Sequence, residues 1–268
     1  MTFLVCGDSM EDIYIKGETS RISPEAPVAI VKVLETVTKP GGAANVRMNV
    51  QTLGMEARGL YSYTSLTNPV QKVRVLSRSQ QMLRLDYDHR QAPIAPEVFE
   101  PEPWIIFSDY GKGSLDNIKD LINKAPASTI FVDPRGMDYE RYRGASYIKP
   151  NTEEMRDLVG NWSTGAQLDE KAGNVVKHLK LEGLLLTQGA NGMTLYTSTF
   201  KYHSPAVTHE VFDVCGAGDT SLAAFAVAIA RDYTDEEAVF YASKAAGITC
   251  QHLGSYSPSE KEVFSGSD

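Results

Sequence analysis

The sequence predicts an α/β fold: a mostly parallel sheet covered on both faces by helices, with a second, small β-sheet inserted into that body. Three observations predict it. From residue 104 onward, short apolar runs alternate with helical stretches, the pattern of a mostly parallel sheet covered on both faces. Two β-rich segments, about 10–38 and 70–88, break that alternation and read as a small sheet inserted into the body. A glycine loop, Asp213-Val214-Cys215-Gly216-Ala217-Gly218-Asp219-Thr220, opens a long apolar helix. The chain of 268 residues is 42% hydrophobic, enough for a single large domain spanning 1–268.

The elements follow in order. Thr2–Cys6 is an apolar run that stops at Gly7-Asp8, a buried strand entering a functional loop. Val28–Thr38 is rich in Val and Ile and predicts one or two strands, broken by Pro40-Gly41-Gly42. Ala43–Leu53 places Ala43, Val46, Val50 and Leu53 on one helical face, closed by Gly54. Val70–Tyr87 alternates as a β-ribbon with a turn near Ser77–Ser79, and four prolines make Gln91–Pro103 a surface connector. Strands are then predicted at Trp104–Ser108, Thr129–Asp133, Tyr147–Lys149, Gly183–Thr187 and Met193–Tyr196. Helices are predicted at Leu115–Asn123, Thr152–Val159, Leu168–Leu179, Asp219–Arg231 and Asp235–Cys250, and a β-like run at Val207–Val214.

Composition excludes several classes. A net charge of −8 offers no excess of cations for nucleic acid or an anionic membrane. The longest fully apolar stretch, Leu222–Ala230, is far short of the ~20 residues that span a bilayer. Met1–Cys6 lacks the basic leader of a signal peptide, and three scattered cysteines make no disulfide framework or zinc spacing, so the expected compartment is the cytoplasm. The histidines have no metal spacing.

The strongest chemical signal is the glycine loop. Gly216 and Gly218 let backbone N–H groups approach an anion, and the helix N-terminus adds about half a positive charge there. Asp219 stands beside that anion hole, where a carboxylate is repelled by phosphate unless it works as a general base; the competing reading is a simple helix cap. The third glycine of a dinucleotide fingerprint is replaced by Ser221, and Gly111-Lys112-Gly113-Ser114 lacks the contiguous Lys-Ser of a P-loop. Asn151 and Glu154 share one face of a helix start, two oxygen donors suited to a Mg²⁺ that keeps most of its waters, or else an ordinary capped first turn. Gly41-Gly42-x-x-Asn45 could reach a polyhydroxylated ligand. Asp8 and Asp12 flank the exit of the first strand, where open α/β sheets bind ligands. Lys112 follows a later strand and could hold a phosphate as a point charge.

Together and in this order, these pieces resemble the ribokinase-like (PfkB) carbohydrate kinases. Gly41–Asn45 is similar to their early sugar-site motif and Asp213–Thr220 to their late nucleotide-site signature. The stretches Arg21–Val28, Gln81–Asp86, Ser108–Gly113, Asp133–Gly136 and Pro150–Glu154 resemble the heptose-phosphate branch of that family. The resemblance implies a ribokinase-like fold, a three-layer α/β/α Rossmann-like body with a small β-sheet lid, and ATP-dependent transfer to a sugar hydroxyl, best the anomeric hydroxyl of a heptose 7-phosphate serving lipopolysaccharide or another surface glycan. A family kinase for another sugar, or a binding homologue without turnover, would carry the same motifs. It implies Asp219 as base, with Gly216, Ala217 and Gly218 as anion hole. Asn151 and Glu154 would organise Mg²⁺-ATP, and Thr187 and Gly189 would line the nucleotide loop. Asp8, Asp12, Gly41, Gly42 and Asn45 would hold sugar hydroxyls, with Arg21, Lys112 and Arg135 for phosphate. The segment Gly54–Val73 is shorter than in that family, and Gln188 and Ala190 stand where the heptose branch carries charges. No nucleotidyltransferase half follows, so a stand-alone kinase is expected, and its small lid sheet predicts a homodimer.

Overall fold

The computed structural model describes residues 1–78, 80–207 and 211–265. Strand β1 (Thr2–Gly7) leads into β2 (Ser9–Ile22), which turns back as β3 (Ala29–Gly42) and enters α1 (Ala43–Thr52). After β4 (Glu56–Leu60) and α2 (Tyr63–Thr67) come the hairpin strands β5 (Val70–Ser77) and β6 (Gln80–Tyr87). The body continues with β7 (Trp104–Ser108), α3 (Ile118–Asn123), β8 (Thr129–Asp133), β9 (Tyr147–Ile148), α4 (Thr152–Val159) and α5 (Gly165–Leu179). It closes with β10 (Gly183–Thr187), β11 (Met193–Thr197), β12 (Lys201–Ser204), α6 (Ala217–Ala230), α7 (Asp235–Cys250) and α8 (Glu260–Phe264).

The main sheet has the order β12-β11-β10-β9-β8-β7-β1-β4, parallel from β4 to β10. Strands β11 and β12 are antiparallel. Side chains of a strand alternate between faces, and the core divides accordingly. Leu4, Cys6, Ile105, Phe107, Leu184 and Leu186 pack with α3, α4 and α5. Phe3, Val5, Ile106, Phe131 and Leu185 pack with α1, α6 and α7. These are the three layers.

The lid is a separate sheet, β3-β2-β5-β6, with β2 and β5 parallel and the flanking pairs antiparallel. Two expectations change here. Pro40-Gly41-Gly42 does not break the strand: Glu11 pairs with Pro40, Met10 with Gly41 and Ser9 with Gly42. Strand β3 is a sheet edge, where a residue without an N–H is tolerated. The connector at 91–103 is not wholly on the surface, because Gln91, Ile94 and Phe99 are buried. The expected turn at Ser77–Ser79 and run at Val207–Val214 each fall partly outside the described residues; the described stretch 211–214 carries no strand. Among the described residues no helix is long and apolar enough to cross a membrane.

Candidate active site

The parallel strands all end on one side, and the polar residues of interest follow those ends: Asp8 after β1, Asp109 after β7, Asp133 on β8, Lys149 after β9 and Thr187 on β10. Ligands of open α/β sheets bind there.

Asp219 lies in the first turn of α6, yet it is not a cap. The N-cap is Gly216, and no side chain bonds the helix start. Instead Asp219 Oδ1 accepts from Tyr110 Oη at 2.6 Å and Oδ2 from Asn45 Nδ2 at 2.8 Å. The side chain is almost wholly enclosed, with 4% exposed. Burial pushes its carboxyl above the usual range, while the bonds from Tyr110 and Asn45 and the nearby Lys149 pull it back. Gly216 is left-handed at φ 79°, and a Cβ there would come within 3.1 Å of Asn45 Nδ2, so glycine is required. The loop before it is tied down by Asp213, which accepts from Cys215 N at 3.0 Å and Gly254 N at 2.9 Å.

Lys149 and Tyr110 are functional candidates the sequence reading missed. Lys149 Nζ is buried, bonds Asp133 at 3.0 Å, and would lie 3.6 Å from a Cβ on Gly218, placing a cation at the anion hole. Burial is the largest influence and works against its charge, but the carboxylates of Asp133, Glu154 and Asp219 together outweigh it and hold the ammonium above the usual lysine value. The signal for Lys149 was its place just past a parallel strand. Tyr110 also follows a parallel strand, β7, but nothing in the sequence links it to Asp219, 109 residues away.

Several expected sugar contacts have other partners. Asp8 is fully buried, and its oxygens accept from the N–H groups of Tyr110 at 2.9 Å, Lys112 at 2.9 Å and Ser114 at 3.0 Å. It holds the Tyr110 loop rather than facing the cleft. Asn45 is buried between Asp219 and Asn49, whose amide donates to Asn45 Oδ1 at 3.3 Å, so it positions the carboxylate. Gly41 and Gly42 are buried; a Cβ on Gly42, at φ 57°, would meet Asp8 O at 2.3 Å, and one on Gly41 would meet Asp12 Oδ2 at 2.7 Å. Both positions need glycine for this close packing. Asp12 stays beside them, with Arg74 donating to its Oδ1 at 2.5 Å.

The expected phosphate cations also disperse. Lys112 Nζ pairs with Asp88 at 2.7 Å. Arg21 is exposed nine positions beyond Asp12 on β2, roughly 30 Å along the strand and off the cleft of its own chain. Arg135 pairs with Glu154 Oε1 at 3.2 Å.

Asn151 and Glu154 form a capping box: Asn151 Oδ1 accepts from the Glu153 and Glu154 N–H groups, and Glu154 Oε2 from Asn151 N at 2.9 Å. Thr187 bridges to Asn151, joining the two strand ends, and Gly189 opens the exposed turn that follows. Burial and then the Asp133 charge push the Glu154 carboxyl up. Among the described residues no cluster of three His, Cys, Asp or Glu side chains forms a direct metal cage. The donors are all oxygen, and the carboxylates of Asp133, Glu154 and Asp219 outnumber the cations Lys149 and Arg135 paired with them. That set fits a hard divalent cation held through water.

A parallel sheet with a lid, and a glycine loop opening a helix with a buried carboxylate in its first turn, make an arrangement suited to phosphoryl transfer. A model of the pfkB family of carbohydrate kinases matches residues 114–262. The chain is 38% identical over 285 residues to the D-beta-D-heptose 7-phosphate kinase of Bordetella bronchiseptica, covering 94% of this chain and 91% of that protein. It is 38% identical over 299 residues to the bifunctional protein HldE of Vibrio parahaemolyticus, where it covers 97% of this chain and 62% of the relative's length. In fold it is similar to the ribokinase of Thermotoga maritima, with TM-score 0.77, 21% identity and 98% of each chain covered. It is also similar to phosphofructokinase-2 of Escherichia coli, with TM-score 0.78, 18% identity and 98% and 96% of the two chains covered. The chain belongs to the pfkB family of carbohydrate kinases, and membership of a kinase family implies ATP use.

Proposed function

We propose that this chain transfers the γ-phosphate of ATP to the anomeric hydroxyl of a heptose 7-phosphate. The observation that carries the reading is Asp219: a buried carboxylate beside an open helix N-terminus that caps nothing and is aimed by two side chains. Asp219 takes the proton of the attacking hydroxyl, whose oxygen forms a bond to the γ-phosphorus as the bond to ADP breaks. The N–H groups of Gly216 and Gly218, with Lys149 beside them, stabilise the charge that develops, joined by Ala217 N–H once it leaves Val214 O, to which it donates at 3.3 Å. Asp12 takes a sugar hydroxyl, and Thr187 and Gly189 line the nucleotide side. Asn151, Glu154 and Asp133 would hold Mg²⁺ through water, and the ion would neutralise the donor's phosphates. The substrate assignment rests on the printed activity of the Bordetella relative. The protein works as a homodimer joined through its lids.

Steady-state ADP release tests this, using ATP, Mg²⁺ and a panel of D-β-D-heptose 7-phosphate, fructose 6-phosphate and ribose. The heptose phosphate is expected to give the highest kcat/KM. ADP release independent of any sugar, or a preference for ribose, would contradict the reading.

A further inference from the structure

The cleft side of the lid carries a row of charges that alternates in sign across all four strands. Lys39 of β3 stands opposite Asp12 of β2, Asp12 opposite Lys72 of β5, and Lys72 opposite Asp86 of β6. Residues directly opposite share a face of the sheet. Three members of the row are engaged. Lys39 Nζ donates to Ser255 O at 2.7 Å, Asp12 is bound by Arg74, and Asp86 accepts from two Arg84 nitrogens at 2.7 and 3.0 Å. Lys72 is different. Among the described residues no carboxylate or carbonyl lies within bonding distance of its ammonium, which sits over the ring of Tyr110, 5.5 Å from the centroid.

That ring belongs to the tyrosine whose hydroxyl bonds Asp219. The ammonium of a partly buried lysine therefore stands one aromatic ring and one hydrogen bond away from the proposed base. The other cations considered for an acceptor phosphate are committed elsewhere: Lys112 to Asp88 and Arg135 to Glu154, while Arg21 lies far along β2.

We propose that Lys72 binds the phosphate group of the acceptor sugar, and that Tyr110 beneath it ties the position of that phosphate to Asp219. The inference rests on the sugar-kinase reading and deepens it. The acceptor is a sugar monophosphate whose phosphate and reacting hydroxyl lie at opposite ends of the molecule. A dianion at Lys72 sets the far end of the sugar over the carboxylate. A lysine meets a phosphate as a compact point charge, so its loss falls on acceptor recognition rather than on ATP.

The test compares wild type with Lys72→Met, which keeps the stem and loses the charge, and with Lys72→Arg, which keeps the charge. The acceptors are D-β-D-heptose 7-phosphate and the same heptose without phosphate. The readout is the ratio of their kcat/KM values. Lys72→Met is expected to lower that preference by about 10–100-fold, the worth of a charge-assisted contact, while the KM for ATP moves by less than about twofold. Lys72→Arg is expected to restore most of the preference. Lys119→Met, an exposed change on α3, is the control for charge count and is expected to leave the ratio unchanged. A Lys72→Met enzyme that keeps the wild-type ratio, or loses equally on both acceptors, overturns the assignment while leaving the kinase reading intact. A wild type that phosphorylates neither acceptor overturns the kinase reading, and Lys72 falls with it.

Discussion

Burial disfavours a charge on Asp219, and the bonds from Tyr110 Oη and Asn45 Nδ2 oppose that push. The base must be ionised to take a proton, so activity falls on the acid side of its pKa. Tyr110→Phe keeps the ring and removes one of the two opposing bonds. The carboxyl then rises further, and the acid limb of the kcat–pH profile moves to higher pH. A profile measured with saturating substrates checks this; an unmoved limb would mean that the Tyr110 bond does not set the charge state of Asp219. The sequence made Asp219 and its glycines legible because they are contiguous and open a helix. It did not separate base from cap, since aspartate does both. What removes the cap reading lies in partners 109 and 174 residues away. For Asp8 and Asn45 the residue type announced a polar contact, but not the buried partners that hold these side chains in the structure.

At the scale of elements, the loop after β7 depends on one carboxylate. Asp8 accepts from three backbone N–H groups of the Tyr110–Ser114 segment inside the fold. Asp8→Asn replaces one accepting oxygen by a donor, leaving at least one buried N–H unsatisfied at a cost of about 2 kcal/mol, or roughly 4–8 °C in Tm for a chain of this size. Thermal unfolding checks this, and a Tm equal to wild type would show that the loop stands without Asp8. The body strands β7, β8 and β10 were legible because buried parallel strands are continuous apolar runs. Strand β4, with sequence Glu-Ala-Arg-Gly-Leu, has no β-branched residue and joins the sheet only because β1 offers a parallel edge. Strand β3 runs past Pro40 because its edge position forgives the missing N–H. Lys72 was hidden in an alternating strand, where a lysine reads as a solvated face.

The whole molecule has a lid with two unlike faces. The charged face looks into the cleft. The opposite face carries Ile13, Ile15, Val73, Val75, Leu83 and Leu85 in register, with Leu83 52% exposed. Such a face is the proposed dimer surface, used the same way by both copies. Sedimentation at micromolar concentration is expected to give a dimer, and Leu83→Glu a monomer; a monomeric wild type would refute the lid contact. The account as a whole stands on catalysis by Asp219, and Asp219→Asn tests it most directly. Asparagine keeps the shape and can still accept from Tyr110, but its amide N–H groups then face Asn45 Nδ2, so the variant should fold with a modest loss of Tm and bind ATP as wild type does. Turnover of ATP with D-β-D-heptose 7-phosphate should fall by at least about 10²-fold, the usual loss when a general base is removed. A variant that folds, binds ATP and turns over at the wild-type rate would contradict the account.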